Sequence, residues 1–182
     1  MPGGGVPGGG GVSRRPVIAV IGAKDASVEA LAEAEALGRG LVDAGFRVAT
    51  GGLGGVMAAA SRGARQADGW EEGRVVGVLP GASADDANPW VDVAVPTGMG
   101  YARNVILVAM ADVVVAVGGG AGTLSEIAMA WQHHKPIVAL ELGEGWSARL
   151  AGERLDERRA DAVVGVKDAA EAVEVVLGLL GR

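Results

Sequence analysis

The chain has 182 residues, no cysteine and a formal net charge of −6. Its length suffices for one domain with its own core, and the lack of cysteine excludes disulfides, thiolate catalysis and cysteine-based metal sites. The acidic balance argues against binding to nucleic acids or anionic membranes, which require a basic face.

The first 15 residues, MPGGGVPGGGGVSRR, are rich in Gly and Pro and almost lack apolar side chains. Such a composition does not offset the entropy of ordering, so we predict a disordered tail over 1–15 and one domain over 16–182. No apolar run reaches the roughly 20 residues of a membrane span, and the run after Ser13-Arg14-Arg15 is shorter than an export signal needs. We therefore predict a cytoplasmic protein.

Short apolar strands alternate with helical segments along the rest of the chain. We predict strands over 17–21, 46–49, 75–79, 91–95, 112–117, 137–142 and 162–166, and helices over 27–44, 56–66, 101–110, 123–134 and 168–180. The segment 144–160 is irregular or partly helical. Strands that are apolar on both faces and alternate with helices predict a mostly parallel sheet covered on both sides. The fold class is therefore α/β, a doubly wound, Rossmann-like single domain.

Two glycine-rich loops each follow a predicted strand and precede a predicted helix. They are GGLGG at 51–55 and GGGAG at 118–122. Ligands of doubly wound sheets bind at the carboxyl ends of the strands, where helix N-termini present unpaired N–H groups and a positive dipole. Glycine also lets the backbone approach an anion closely. The two loops therefore predict a site for a phosphorylated ligand.

The standard nucleotide motifs are absent from both loops. No Lys follows GGGAGT, so it is not a P-loop, and neither loop satisfies G-x-G-x-x-G. Thr50 ends the second strand, where a dinucleotide site has a ribose-binding acid, so NAD(P) and FAD are disfavoured. Thr123 and Glu126 also fit a capping box, which would give this stretch a purely structural role.

Arg103 lies in the first turn of the helix predicted from Tyr101, where a cation opposes the helix dipole. This placement indicates a nearby anion, either a ligand or Glu126; the alternative is a solvated surface Arg. His133 and His134 end a helix, where cations are favoured, and they point to different faces. We therefore predict no metal site.

Three segments together resemble the LONELY GUY-like family of Rossmann-fold proteins: TGGLGGVM at 50–57, ARN at 102–104 and GGGAGTLSE at 118–126. That family has a GGGxxGLMG loop, then an Arg, then PGGxGTxxE. The resemblance extends from about Val17 to Leu142. The best-known activity of the family is phosphoribohydrolysis, which cleaves the N-glycosidic bond of a nucleoside 5′-monophosphate and requires no cofactor.

By this resemblance, Arg103 and Glu126 match the family's catalytic pair. Glu126 would stabilise the positive charge that develops on the ribose and orient the attacking water, and Arg103 would hold Glu126 ionised. The ligand-binding and phosphate-binding residues implied by the resemblance are Gly51, Gly52, Gly55, Asn104, Gly119, Gly120, Gly122 and Thr123.

Two positions depart from the hydrolase pattern. Val117 replaces the Pro of the motif, and Asn104 stands where the hydrolases usually have Lys. The segment 88–104 is more similar to another branch, which includes proteins resembling molybdenum-cofactor carriers; these bind a phosphorylated pterin without cleaving a glycosidic bond.

The alternative to a hydrolase is therefore a carrier or sensor with the molybdenum cofactor or a related nucleotide as cargo. Both hypotheses imply a small phosphorylated ligand and a homo-oligomer, with no nucleic-acid partner. A purely structural α/β domain is the third possibility.

Overall fold

The structure is a computed structural model that describes residues 14–182. The tail predicted over 1–15 lies outside this range apart from its last two residues. Arg14 forms an ion pair with Asp112, and Arg15 forms one with Glu71. Within the described residues no helix is long and apolar enough to cross a membrane.

All of the strands and helices predicted from the sequence are present. The strands are β1 (Val17–Gly22), β2 (Arg47–Thr50), β3 (Val75–Leu79), β4 (Val93–Pro96), β5 (Val113–Val117), β6 (Ile137–Leu140) and β7 (Val164–Val166). The helices are α1 (Val28–Asp43), α2 (Val56–Arg65), α3 (Asn104–Met110), α4 (Ala121–Gln132), α5 (Trp146–Leu150) and α6 (Ala169–Leu179), with short 3-10 turns at Ala84–Asp86 and Gly100–Arg103.

The strands form one seven-stranded sheet in the order β4-β3-β2-β1-β5-β6-β7. Every neighbouring pair is parallel, so the mostly parallel sheet that the sequence predicts is fully parallel within the described residues. The strand order reverses between β1 and β5, which lie side by side. In this fold class the crevice at such a reversal is the expected place for a ligand.

Both faces of the sheet are covered by helices, which confirms the doubly wound α/β prediction. Apolar side chains of α1, α2 and α6 pack on one face, and those of α3 and α4 pack on the other. The core is aliphatic apart from Phe46 and Trp131, its two fully buried aromatic side chains among the described residues. Burial on both faces explains why the strands are apolar without alternation.

The predicted capping box of Thr123 and Glu126 is wrong. Helix α4 begins at Ala121, and its N-cap is Gly120, which has no side chain to accept a backbone hydrogen bond. Thr123 therefore lies inside the first turn, and Glu126 lies deeper than the third helical position. The helix begins early because the left-handed backbone of Gly119, with φ of 97°, turns the chain directly into it.

The helix predicted from Tyr101 is divided in two. Residues Gly100–Arg103 form a 3-10 turn, and the α-helix begins only at Asn104. Arg103 is therefore the N-cap of α3, not a residue of its first turn, and it is buried with 9% of its surface exposed. The alternative of a solvated surface Arg is excluded.

Candidate functional site

A cavity of about 600 Å³ opens at the carboxyl ends of β1 and β5, where the strand order reverses. Its walls come from four parts of the chain: the loop after β1 (22–27), the turn at 101–104, the start of α4 (118–126) and the loop after β6 (142–145). Gly51, Met57 and four apolar residues, Val20, Ile21, Ala30 and Leu107, complete the lining. The fold thus brings both glycine-rich loops to one edge of the sheet, although only Gly51 of the first loop lines the cavity.

The N-terminus of α4 forms one wall of this cavity. The first hydrogen bond within the helix runs from the N–H of Leu124 to the carbonyl of Gly120, at 3.0 Å. The N–H groups of Ala121, Gly122 and Thr123 precede it and have no acceptor inside the helix. Together with the positive end of the helix dipole, these groups can hold an anion.

The small residues of this wall keep it open. A Cβ added at Gly120 or Gly122 would meet no heavy atom within 4 Å, so these positions border empty space. A Cβ at Gly119 would lie only 2.2 Å from Oγ1 of Thr123. Glycine is therefore required at position 119 by the turn, whereas at 120 and 122 a side chain would project from the wall.

Ser147, at the start of α5, fixes the loop that precedes α4. Its Oγ accepts from the N–H of Gly118 at 2.7 Å and donates to the carbonyl of Leu140 at 2.7 Å. The N–H groups of Trp146 and Ser147 donate to the carbonyls of Gly119 and Gly118 at 3.0 and 3.1 Å. The carbonyls of Gly118 and Gly119 thus accept hydrogen bonds from the start of α5. Ser147 itself is fully buried.

Replacing Ser147 by alanine is expected to destabilise the protein by about 1–3 kcal/mol, because the buried carbonyl of Leu140 and the partly buried N–H of Gly118 lose their partner. Urea unfolding of the variant measures this loss. The matched control is Ser83→Ala, which removes an exposed hydroxyl that accepts from the N–H of Asp85. Equal stability of the two variants would contradict a bracing role for Ser147.

Arg103 faces the α4 wall with unmet hydrogen-bonding capacity. Its Nε and Nη1 atoms are buried and have no hydrogen-bond partner in the structure. The nearest carboxylate oxygen, Oε1 of Glu126, lies 4.0 Å from Nη1, which is too long for a hydrogen bond. Oδ1 of Asn104 is also buried without a partner, while its Nδ2 donates to Ser125 Oγ at 3.4 Å. Such unpaired buried groups are rare and costly, which marks this wall as a candidate binding surface.

Burial changes the protonation of both charged residues. It raises the pKa of Glu126 to about 7, because the carboxylate is desolvated, and the nearby Arg103 offsets only part of that effect. Burial also lowers the pKa of Arg103, against the opposing effect of Glu126. Near neutral pH, Glu126 is therefore a mixture of carboxylate and neutral acid.

Comparison with known proteins agrees with this arrangement. The sequence model of the SLOG cluster4 family matches residues 15–173. The chain belongs to this family. An uncharacterized protein of Archaeoglobus fulgidus is 40% identical over 124 residues, which are 68% of this chain and 79% of that protein.

Two solved structures resemble this SLOG cluster4 protein over nearly their whole length. The molybdenum cofactor binding protein of Rippkaea orientalis has a TM-score of 0.81 and 34% identity, covering 92% of this chain and 99% of that chain. The molybdenum cofactor carrier protein of Chlamydomonas reinhardtii has a TM-score of 0.78 and 33% identity, covering 92% of this chain and 100% of that chain. The resemblance inferred from the sequence motifs is thereby confirmed.

Most of the residues that the sequence singled out in this SLOG cluster4 protein line the same cavity. They are Gly51, Arg103, Asn104, Gly119, Gly120, Gly122, Thr123 and Glu126. Gly52 and Gly55 are not among the lining residues. Gly55 is the N-cap of α2, where a Cβ would lie 2.1 Å from the carbonyl oxygen of Lys24, so it lets two loops approach closely.

Sequence reasoning missed five residues with polar side chains in the cavity and the bracing serine. The cavity is also lined by exposed Lys24, Asp25, Ser27, Tyr101 and Glu144. The signal that could have identified these loops is a glycine near the end of a strand. Such glycines are Gly22, at the end of β1, and Gly143, shortly after β6. Among residues 14–182 no group of His, Asp and Glu is arranged to hold a metal ion.

Proposed function

We propose that this protein binds a phosphorylated pterin, the molybdenum cofactor, as cargo and does not transform it chemically. The observation that carries the proposal is one cavity with two separate features suited to anions. These are the N–H groups at the start of α4, which have no acceptor within the helix, and the buried Nε and Nη1 atoms of Arg103, which have no hydrogen-bond partner among the described residues. The similarity to two proteins named for binding or carrying this cofactor supports the choice of ligand.

The position of Glu126 favours a carrier over a hydrolase. A carboxylate that stabilises positive charge on a ribose must be held in place when the bond breaks. The long separation of Arg103 and Glu126, 4.0 Å, leaves the carboxylate without a hydrogen bond from Arg103 that would hold it there.

Purification from a host that makes the molybdenum cofactor tests the proposal. We expect native mass spectrometry to find a phosphorylated pterin bound to the protein, and fluorescence of its oxidation product to scale with the amount of protein. The loaded protein should also restore activity to a molybdenum enzyme that lacks its cofactor. Absence of pterin from protein purified in this way, with no activity restored, would contradict the proposal.

Replacing Gly122 by alanine is expected to remove cargo retention while stabilising the protein. Alanine within a helix is favoured over glycine by about 1 kcal/mol, but here the methyl group would project from the cavity wall, next to the N–H groups that we propose bind the anion. The matched control is Gly178→Ala in α6, since a Cβ there also meets no heavy atom within 4 Å. Both variants should unfold at a higher temperature, and only Gly122→Ala should lose the pterin. Equal retention by both would contradict binding at the start of α4.

Gly51→Ala is expected to lower cargo affinity about tenfold or more by displacing Arg103. A Cβ at position 51 would lie 2.4 Å from both terminal nitrogens of the Arg103 guanidinium, so the side chain must leave its position. Gly54→Ala in the same loop is the control, because the nearest atom to its Cβ is 3.9 Å away. Titration of the pterin into both variants measures the affinities. Equal affinities would contradict a role of Arg103 in binding the cargo.

A nucleotide phosphoribohydrolase is the second candidate, and the buried Glu126 facing the cavity beside Arg103 is the observation that favours it. It predicts release of adenine, or of an N6-substituted adenine, from the nucleoside monophosphate and not from the nucleoside. Chromatography of the free base detects this activity. A rate in Glu126→Gln equal to that of the wild type would exclude the reaction.

We also propose that the protein forms a homo-oligomer. Exposed apolar side chains on β4 and along 99–106 support this, among them Val93, Val95, Met99 and Ile106. Light scattering during gel filtration gives the mass, and a monomer at all concentrations would contradict the proposal. A cytoplasmic location stays a prediction from the sequence.

A further inference from the structure

We propose that three arginines at the amino-terminal edge of the sheet form a docking surface for a short acidic segment of another protein. Arg15 lies two residues before β1, Arg47 begins β2, and Arg74 immediately precedes β3; these three residues are the arginine cluster. The cluster lies at the opposite end of the strands from the cargo cavity, so a partner bound to it leaves the cavity mouth open. This surface does not depend on the identity of the cargo.

The register of the sheet brings these three cations together. The pairing of β2 with β3 places Arg47 beside Arg74, and the pairing of β2 with β1 places Arg47 beside the residue two positions after Arg15. Like charges side by side on neighbouring strands destabilise a sheet. Burial lowers the pKa of Arg74, and the positive charges of Arg15 and Arg47 lower it further, against the opposing effect of Glu71. The fold thus assembles cations that repel one another.

A single carboxylate among the described residues, that of Glu71, is bonded to the arginine cluster. Its Oε1 accepts from Nη1 of Arg15 at 2.5 Å and from Nε of Arg74 at 3.1 Å. Arg47 forms no ion pair within the part of the chain that the structure describes. Of its guanidinium nitrogens, only Nε donates there, to the carbonyl of Gly73 at 3.0 Å. The cluster therefore keeps an excess of positive charge and N–H donors that are not used internally.

The charge and extent of the cluster decide what kind of partner fits it. Residues 1–13 contain neither Asp nor Glu, so they add no carboxylate to it. Arg15 and Arg47 are half-buried, and the planar N–H donors of a guanidinium match a carboxylate. The chain has a net charge of −6, so its other surfaces repel a long polyanion such as a nucleic acid. A short run of Asp or Glu matches the cluster, which spans two strand spacings, roughly 10 Å.

Fluorescence anisotropy with a labelled hexaglutamate peptide at low ionic strength tests this surface. We expect saturable binding to the wild-type protein and a loss in affinity of about fivefold or more in Arg47→Gln. Arg39→Gln is the matched control, because it removes the same charge from an exposed arginine of α1. Both variants have the same net charge, so only a local effect distinguishes them. Equal affinities of the two variants, or no binding to the wild type, would overturn the docking surface.

Glu71→Gln provides a second readout with the opposite sign. Removing this carboxylate frees Arg15 and Arg74 for the peptide, so we expect binding to strengthen about threefold or more. Glu72→Gln is the control for net charge, because it removes a neighbouring exposed carboxylate that forms no ion pair among the described residues. Circular dichroism checks that each variant is folded. Equal affinities of these two variants, or weaker binding to Glu71→Gln than to the wild type, would show that the peptide binds elsewhere.

Competition experiments distinguish an acidic segment from other anions. We expect unlabelled hexaglutamate to displace the labelled peptide at lower concentrations than an oligothymidylate or inorganic pyrophosphate does. Stronger displacement by the oligothymidylate would assign the surface to a nucleic acid, and stronger displacement by pyrophosphate would assign it to a small phosphate ligand; either result overturns the proposal. Arg47→Gln should retain the pterin as the wild type does, so failure of the docking surface leaves the proposed function unaffected.

Discussion

Arg103→Met is expected to stabilise the empty protein and to abolish retention of the cargo. The guanidinium is buried, with 9% of the residue exposed, and two of its nitrogens have no hydrogen-bond partner within residues 14–182. Replacing such a group by an apolar side chain of similar length removes the cost of desolvating the charge. We therefore expect the free energy of unfolding to increase by about 1–4 kcal/mol near pH 6. At that pH, Glu126 is mostly protonated, so removing Arg103 leaves no uncompensated buried charge.

The same change should weaken cargo binding by about 2–5 kcal/mol, which is a loss in affinity of roughly 30-fold or more. Urea unfolding of the empty protein measures the first effect, and titration with the pterin measures the second. If Arg103 served only to stabilise the fold, its replacement would lower both the stability of the empty protein and the affinity for cargo. A gain in stability together with a loss of affinity is therefore specific to a binding residue.

Arg159→Met is the matched control for this experiment. Arg159 has the same exposed fraction, 9%, but its guanidinium is fully engaged. It donates to both carboxylate oxygens of Asp161 and to the carbonyl of Lys135, and it lies 4.4 Å from the ring centroid of Trp131. We expect this variant to lose about 2–4 kcal/mol of stability and to retain cargo. Destabilisation of both variants to the same extent would contradict the interpretation of Arg103 as a binding residue.

Glu126→Gln is expected to stabilise the protein increasingly as the pH rises. The pKa of Glu126 is about 7 in the folded protein, against an ordinary value of 4.5. A pKa raised by folding contributes stability that is fully present below about pH 4.5 and is lost as the pH rises through about 7. Glutamine does not titrate, so the advantage of the variant over the wild type should grow across this window to on the order of 3 kcal/mol.

Unfolding by urea at a series of pH values, for the wild type and the variant, measures this difference. It should be smallest near pH 4.5 and level off above about pH 8. Glu144→Gln supplies the control, because it removes a carboxyl that is exposed in the same cavity. A constant difference between Glu126→Gln and wild type across the window would show that Glu126 keeps an ordinary pKa.

The sequence by itself determined the elements and their order. Apolar runs such as Val113–Val117 are short and lack alternation, and this local pattern is sufficient to indicate buried parallel strands. Glycines at the strand ends located both loops, and the motifs supplied Arg103 and Glu126 as a pair. These signals depend on neighbours within a few residues, so they can be recognised before any tertiary contact is known.

Local signals also produced the errors. The pattern Thr-x-x-Glu predicted a capping box at Thr123, but the backbone of Gly119 starts the helix earlier. Capping by a side chain depends on where the helix begins, and here that is decided by a turn and by the bonds that Ser147 makes to Gly118. Ser147 carries no motif, so its role could not be predicted from the sequence.

Only the tertiary structure decided how the pieces of the site meet. The order of the sheet places β1 beside β5, which brings the loop at 22–27 against the start of α4. Packing then buries Glu126 and places it 4.0 Å from Arg103, and burial raises its pKa to about 7. Distance, desolvation and unmet hydrogen bonds are properties of groups far apart in the chain. They arise only when the sheet and its helices assemble, and for that reason they were absent from the sequence pattern.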